Sequence, residues 1–252
     1  ELEQLGVKIV IGPVFNKNLI YLDELSELIF LSLTNRDNDI SQNIINAGIN
    51  ATSQLNAIKK FIELKEIKKT IFLTPDVNYK IEIEKAITNS KIKIINNYIY
   101  NTDPTKLTEQ IEIITNYERR KQNLEDEIKR LEKSDENGKE KLIEGLEKKD
   151  TLGDVKFDSI IIADFDESLK SVTTSLLYTD VSPKDKYLIT LNQWFDKSLL
   201  KETSSQPLYF PSINKKNYED FSSDYFEKYN EFPNQLSFLS FDLVGLVYYL
   251  IL

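Results

Sequence analysis

Residues 7–15 read Val7-Lys8-Ile9-Val10-Ile11-Gly12-Pro13-Val14-Phe15, a β-branched run that stops on Gly-Pro. Valine and isoleucine suit a pleated, buried strand. Gly12 permits backbone angles closed to other residues, and Pro13 lacks the amide needed to extend a ladder. The run therefore predicts a core parallel strand that ends in a loop. Ligands of open α/β sheets bind outside the carboxyl ends of their strands, so Gly12, Pro13 and Phe15 become one wall of an expected cleft.

The same theme recurs along the chain. Leu28 to Asn35 is a second apolar run ending in Ser32, Thr34 and Asn35, and Ile44-Ile45-Asn46-Ala47-Gly48 is a short third. Lys69 to Asp76 repeats the opening, a strand running into Thr74-Pro75, followed by a helix from Tyr79 to Thr88 and a strand from Lys91 to Tyr100. Further strands are predicted at Phe157 to Asp164, Tyr187 to Leu191 and Leu208 to Pro211. Apolar rather than alternating strands, separated by helical segments, indicate parallel sheets covered on both faces. Because the alternation starts afresh near Lys69, the expected fold class is α/β, with two Rossmann-like parallel-sheet domains.

Helical spacing appears at Leu19, Leu22, Leu25 and Leu28, with Asp23, Glu24 and Glu27 on the other face, and again from Thr52 to Ile67 with Leu55, Ile58 and Ile62 inward. Leu169 to Tyr178 and the aromatic series Tyr218, Phe221, Tyr225, Tyr229 give two more helices. The stretch Leu236 to Leu252 is apolar but only 17 residues long and carries Ser237, Ser240 and Asp242, which points to a packed helix rather than a membrane span. Asp103-Pro104 has the form of a helix start, with Asp103 as N-cap and Pro104 in the first turn. From there Leu107, Ile111, Ile114, Tyr117, Leu124, Ile128 and Leu131 trace one apolar stripe, broken at Ser134 to Gly138 and resumed at Leu142, Ile143 and Leu146. This predicts a helical hairpin over 104–149 that stands out from the second domain. Two readings fit its dense Lys/Glu surface, a solvated face and a partner site.

Composition bounds the function. The 252 residues are 40% hydrophobic and 29% charged, enough for real cores and a soluble surface. A net charge of −9 argues against nucleic-acid binding, which needs clustered Lys and Arg. Histidine, cysteine and methionine are absent, which removes imidazole acid/base chemistry, thiol nucleophiles, disulfides and Cys/His zinc sites. No Walker loop, GxGxxG or GxSxG elbow is present. Asp164 and Asp166 follow a strand and suit a cation or an ammonium group, but also the capping of the next helix. Ser32, Thr34 and Asn35 suit a ligand carboxylate, but also ordinary loop formation. Trp194, the single tryptophan, suits ligand stacking and core packing equally. No two of these groups form an acid/base or nucleophile–base pair, so neither catalysis nor a cofactor is expected. The start at Glu1, close before a core strand, and the end inside an apolar helix pattern give the expectation of a fragment cut at both ends.

The order of these pieces resembles the type I periplasmic-binding-protein fold: the strand into Ile11-Gly12-Pro13, the strand into Ser32-Leu33-Thr34-Asn35, Ile45-Asn46-Ala47-Gly48, and the step at Lys69 to Pro75 with Tyr79 in its loop. Phe157 to Asp164 and the closing helices from Tyr225 to Leu252 complete it. The resemblance implies a first domain of residues 1–67 plus 212–252, incomplete as it stands, and a second of 68–211, with crossings near Ile67 to Lys69 and near Pro211. Within that fold, leucine/isoleucine/valine-type receptors feed ABC transporters and usually carry Tyr-Gly where this chain has Tyr79-Lys80. Penicillin-binding protein activators, the LppC-like lipoproteins, are regulators. The stretch Thr115-Asn116-Tyr117-Glu118-Arg119-Arg120, the hairpin after it, Asp150 to Asp154, and Ile161 to Leu169 resemble the activator branch; transporter receptors normally lack such a hairpin. The resemblance thus implies a non-enzymatic envelope protein that binds a penicillin-binding protein (a peptidoglycan synthase). It places the protein in the periplasm, held to the outer membrane by a lipid anchor outside these residues. The alternative is a substrate-binding protein for amino acids or another small polar ligand, partnered by an ABC permease. In it Ser32, Thr34, Thr74, Pro75, Tyr79, Asp164, Asp166 and Trp194 line the cleft with the Gly12 loop.

Overall fold

The computed structural model describes residues 2, 4–36, 41–192 and 205–251. The chain forms two compact units, one of residues 1–59, 81–92 and 211–252 and the other of 60–80 and 93–210. Residues 81–92 thus group with the first unit, whereas the expected boundaries put them in the second.

In the first unit, β1 (Ile9–Ile11), β2 (Ile29–Ser32) and β3 (Ile44–Asn46) form a parallel sheet in the order β1-β2-β3. The register pairs Ile11 with Leu31 and Ser32 with Asn46, so the three strands end side by side. Leu19, Leu28, Phe30 and Ile44 are buried together, with Val7, Val10 and Leu22 against them. The four leucines at helical spacing do not make a helix. They lie in two 3₁₀ turns, Asn16–Leu19 and Leu22–Glu24, and in the approach to β2, because Tyr21 between the turns takes a left-handed conformation (φ 72°) that stops propagation. Nor is this sheet covered on both faces among the described residues: Ile29 and Ile45 remain 42% and 51% exposed.

In the second unit, β4 (Thr70–Pro75), β5 (Asn96–Tyr100), β6 (Ser159–Ile162), β7 (Tyr187–Thr190) and β8 (Leu208–Tyr209) form an all-parallel sheet, order β5-β4-β6-β7-β8. Here the apolar runs behave as expected. Ile71, Leu73, Ile160, Ile162 and Leu188 join one core cluster, while Phe72, Ile161 and Ile189 point to the opposite face and are equally buried. Each such side chain taken out of water contributes about 1.5–3 kcal/mol, so this doubly covered sheet is where the stability concentrates.

Eight α-helices accompany the strands among the described residues: α1 (Ala51–Leu64), α2 (Lys80–Ser90), α3 (Pro104–Thr115), α4 (Tyr117–Glu132), α5 (Lys139–Glu147), α6 (Asp166–Tyr178), α7 (Lys215–Tyr229) and α8 (Gln235–Ile251). Asp103 caps α3 as expected, accepting from the Thr105 and Lys106 amides, with Pro104 in the first turn. The long run from Pro104 is not one helix, however. Asn116 adopts φ 51°, which ends α3, and α3 packs Leu107 and Ile111 into the sheet core while α4 leaves with α5. The helical hairpin is therefore α4–α5, and α3 belongs to the sheet. On α8 only Phe238 and Leu243 are buried, beside the α7 aromatics and β1, whereas Tyr248, Tyr249, Leu250 and Ile251 are about 70% exposed. Packing thus anchors its first half rather than its whole length. No described helix is long and apolar enough to cross a membrane.

Candidate functional site

The expected cleft residues divide between the units. In the first, Gly12 sits at φ 127°, a conformation that L side chains rarely adopt, and is followed by a cis bond to Pro13. Its amide donates to Leu31 O (2.8 Å), and Pro13 O accepts from the Leu33 amide (3.0 Å) and from Ser32 Oγ (3.3 Å). Ser32 Oγ in turn accepts from the Thr34 amide, and Thr34 Oγ1 from the Arg36 amide, each at 3.3 Å. Of these two buried hydroxyls, read from the sequence as possible ligand contacts, Ser32 holds the end of β2 to the loop after β1, and Thr34 braces the loop after β2 internally. Asn46 completes the arrangement, donating to Arg36 O (2.7 Å) and accepting from the Gly48 amide (3.1 Å). Gly48 is forced by close approach: an added Cβ would overlap the Thr34 carbonyl and lie 2.7 Å from Leu33 O. Phe15 and Asn35 are exposed at the same edge.

In the second unit, register brings four strand ends together, Pro75 opposite Tyr100 and Ile162 opposite Thr190. At their centre is the Asp164 carboxylate, 5% exposed. Its Oδ2 accepts from Ser168 Oγ (2.6 Å) and from the Tyr100 hydroxyl in a short hydrogen bond. Its Oδ1 accepts from the Phe165 amide (2.9 Å) and, at 3.5 Å, from the Tyr79 hydroxyl, which also reaches Ala163 O at 3.3 Å. A buried carboxylate is tolerable only when its lone pairs are met in this way. Burial foremost, then the charge and hydrogen bond of Asp164, push the Tyr79 and Tyr100 phenols well above the usual tyrosine range. Both rings therefore stay protonated donors through the physiological range. Thr190 Oγ1 ties β7 to the same turn through Ile162 O (2.9 Å) and Asp164 O (3.3 Å). The Tyr79 and Phe165 rings meet edge to face, 6.3 Å between centroids, at the rim.

Of the residues expected here, Tyr79 and Asp164 meet. Thr74 is buried and spends its hydroxyl on Asn97 Oδ1 (2.8 Å), Pro75 is the buried last residue of β4, and Asp166 is exposed at the first turn of α6 with φ 48°. Trp194 lies outside the described residues. Neither acid provides the side-chain N-cap of α6, whose N-cap position, Phe165, has no capping side chain. Sequence reasoning missed Tyr100 and Ser168. Tyr100 is the last residue of its strand, in register with Pro75, and Ser168 lies four positions after Asp164, within one helical turn.

Arg120 was also missed. Its guanidinium, 6% exposed, donates from Nε to Gly153 O (3.1 Å), from Nη1 to Thr179 O (3.0 Å), and from Nη2 to Thr151 Oγ1 (2.6 Å) and Asp180 O (3.3 Å). Its own carbonyl accepts from the Leu152 amide (3.0 Å). One side chain thus pins the start of α4, the return segment after α5 and the end of α6. The signal was present: Arg120 lies three after Tyr117 and four before Leu124, on the apolar stripe.

No family model matches the chain, and no curated protein matches it. Solved structures do. An ABC transporter substrate-binding protein from Desulfitobacterium hafniense superposes with a TM-score of 0.55 at 13% identity, over 96% of this chain and 63% of its own. A putative branched-chain amino acid ABC transporter protein from Rhodospirillum rubrum gives 0.57 at 11%, over 87% and 56%. The C-domain of LpoA from Haemophilus influenzae, a regulator of PBP1A, gives 0.54 at 11%, over 88% and 63%. The chain spans less than two thirds of the length of each. These neighbours are binding and regulatory proteins rather than enzymes. At such identities the likeness establishes architecture alone, and that architecture is the α/β, parallel-sheet fold of type I periplasmic-binding-protein-like proteins.

Proposed function

We propose that the chain is a non-enzymatic regulatory domain of the cell envelope that binds a peptidoglycan-synthesising penicillin-binding protein through the α4–α5 hairpin. The observation that carries this reading is the mounting of the hairpin. A buried guanidinium with four hydrogen bonds fixes its base, while the surfaces of α4 and α5 beyond Leu131 are almost entirely solvent-facing. A rigid base under an exposed helix pair suits presentation to a protein, because little ordering remains to be done on binding. The LpoA C-domain supports it as a regulator of the same architecture. On this reading a lipid anchor would hold the domain at the outer membrane. Replacing residues 124–146 with a short turn should leave both sheets folded by circular dichroism and abolish capture of the synthase in a pull-down. Capture at the native level would remove the hairpin from the mechanism.

A second reading, solute capture for an ABC permease, is favoured by the Tyr79–Phe165 aromatic pair beside Asp164 and by the substrate-binding proteins among the neighbours. A ligand at 100 times its dissociation constant adds about 2.7 kcal/mol of stability. A thermal-shift screen with amino acids and small aromatic acids would register that, and a flat screen would sink this second reading.

A further inference from the structure

The hairpin carries a recess of about 380 Å³ between α4 and α5. Leu131, Leu142 and Leu146 give it apolar lining, and Gly145 lines it too, where an added Cβ would meet nothing within 4 Å. Leu142 is 51% exposed there, an apolar surface in an otherwise charged helix pair. Lys141 and Lys149 stand on the rim. Most of their neighbours are neutralised: Arg130 pairs with Glu127 and Glu136, Lys129 with Glu125, and Lys148 with Glu144. Among the described residues no carboxylate lies within ion-pair distance of Lys141 or Lys149. The recess thus joins an apolar lining to two uncompensated cations, in a chain whose net charge is −9. Residues 117–149 balance ten acids with ten bases, so the hairpin lacks the general repulsion that the rest of the chain offers an acidic partner.

We infer that this recess receives an acidic peptide segment of the partner, which seats a leucine-sized side chain over Gly145 and sets carboxylates against Lys141 and Lys149. The inference rests on the hairpin being the docking element. Exposed charge pairs contribute little to affinity individually but select the sign of the partner, whereas filling an apolar pocket supplies an anchor. The probe is a fluorescein-labelled helical peptide of glutamate, leucine and alanine, with a counterpart carrying lysine at every glutamate, read by fluorescence anisotropy against the full chain. The acidic peptide should bind and the basic one should not. K141E/K149E together should weaken binding about tenfold, a difference of about 1.4 kcal/mol. Gly145→Leu, which fills the recess and replaces a helix-weakening residue, should abolish binding without lowering the melting temperature. Equal binding of both peptides, or unchanged affinity in both variants, would overturn the inference. So would a dimer in sedimentation that Gly145→Leu dissociates, since the occupant would then be a second copy. The same variants in the synthase pull-down separate the two claims. Capture lost on hairpin deletion but kept in both variants overturns the recess and leaves the docking hairpin standing. Peptide binding lost in the variants, with no synthase captured by the native chain, supports the recess and overturns the synthase reading.

Discussion

Replacing Arg120 with methionine keeps most of the side chain's length and apolar stem while deleting every donor of its guanidinium. The cost can be worked from the contacts. The ion pair to Asp180 is the smaller part, because its closest approach is 3.6 Å and the Asp180 side chain is 44% exposed, where screening leaves such pairs about 0–1 kcal/mol. The larger part is the set of acceptors left behind: Gly153 O, Thr179 O and Asp180 O, with Thr151 Oγ1 losing its donor as well. Each buried acceptor stranded without a partner costs about 1–3 kcal/mol, and water reaching the more exposed Gly153 and Asp180 offsets some of it. A net loss of about 3–5 kcal/mol follows, the range seen when one member of a buried charged pair is removed. Arg120→Lys should fall between, since a single ammonium cannot reach all three carbonyls on the two segments. Urea unfolding monitored by circular dichroism gives the energy, and hydrogen exchange over 117–149 gives the location. Amides of α4 and α5 should lose protection before those of β4 and β6. A loss under about 1 kcal/mol with unchanged exchange in the hairpin would refute the claim that Arg120 mounts it.

Tyr100→Phe removes one donor from buried Asp164 and should cost about 1–3 kcal/mol in chemical denaturation, more than Tyr79→Phe, whose hydrogen bond is longer and nearer the rim. Both phenols titrate higher in the folded state than when unfolded, so their contribution is complete below about pH 10 and falls as pH rises beyond it. The alkaline limb of the stability profile should accordingly be shallower in a Tyr79→Phe/Tyr100→Phe double variant than in the native chain. Asp154 titrates lower because of its hydrogen bond to Lys186, so the stability it gives is present above about pH 4 and lost on acidification. With its side chain 76% exposed, Asp154→Asn should cost under about 1 kcal/mol at pH 7. Gly48→Ala should destabilise the first unit by about 1–3 kcal/mol or more, because the new methyl meets backbone rather than a movable side chain; a melting temperature equal to the native one would exclude the close approach.

The second sheet was legible because its strands are buried on both faces, so that burial alone writes an apolar run such as Ile160-Ile161-Ile162 with no alternation to interpret. Where local conformation overrides periodicity, the pattern misleads. Leu19, Leu22, Leu25 and Leu28 carry a helical spacing, yet the left-handed Tyr21 makes two turns of them, and left-handed Asn116 splits an apolar stripe that continues through it. Neither residue is a glycine, the usual mark of such a break. At the site, the positions of Asp164 just after a strand and of Tyr79 in the loop after β4 were readable, but the partners of the carboxylate were not. Tyr100 comes from a strand 64 positions away, and only sheet register brings it to the acid. Arg120 shows a different failure. Its place on the stripe was visible, but its acceptors were not: one hydroxyl and three backbone carbonyls, 31 to 60 residues on.

The state of Asp164 bears on how this fold is used. A carboxylate at the carboxyl end of a central strand is well placed to bind a ligand ammonium, and such a role requires that it exchange its contacts for the ligand's at little cost. Here Tyr100, Ser168 and the Phe165 amide meet its oxygens directly, and Tyr79 adds a fourth donor. To bind a cation in their place, the site would take the acceptor from the fully buried Tyr100 hydroxyl, at about 1–3 kcal/mol, and from the half-buried Ser168. It would also release the links from β6 to β5 and to the first turn of α6. The network therefore does more as a clamp across the strand ends than as a receptor for charge. The hydroxyls of Ser32 and Thr34 are likewise engaged in the first unit, Ser32 by the loop after β1 and Thr34 within its own loop. When the polar groups at both sheet edges hold the fold together, the surfaces left for recognition lie elsewhere. Among the described residues, the hairpin rooted by Arg120 keeps exposed charge and an apolar recess that the fold's own packing does not consume.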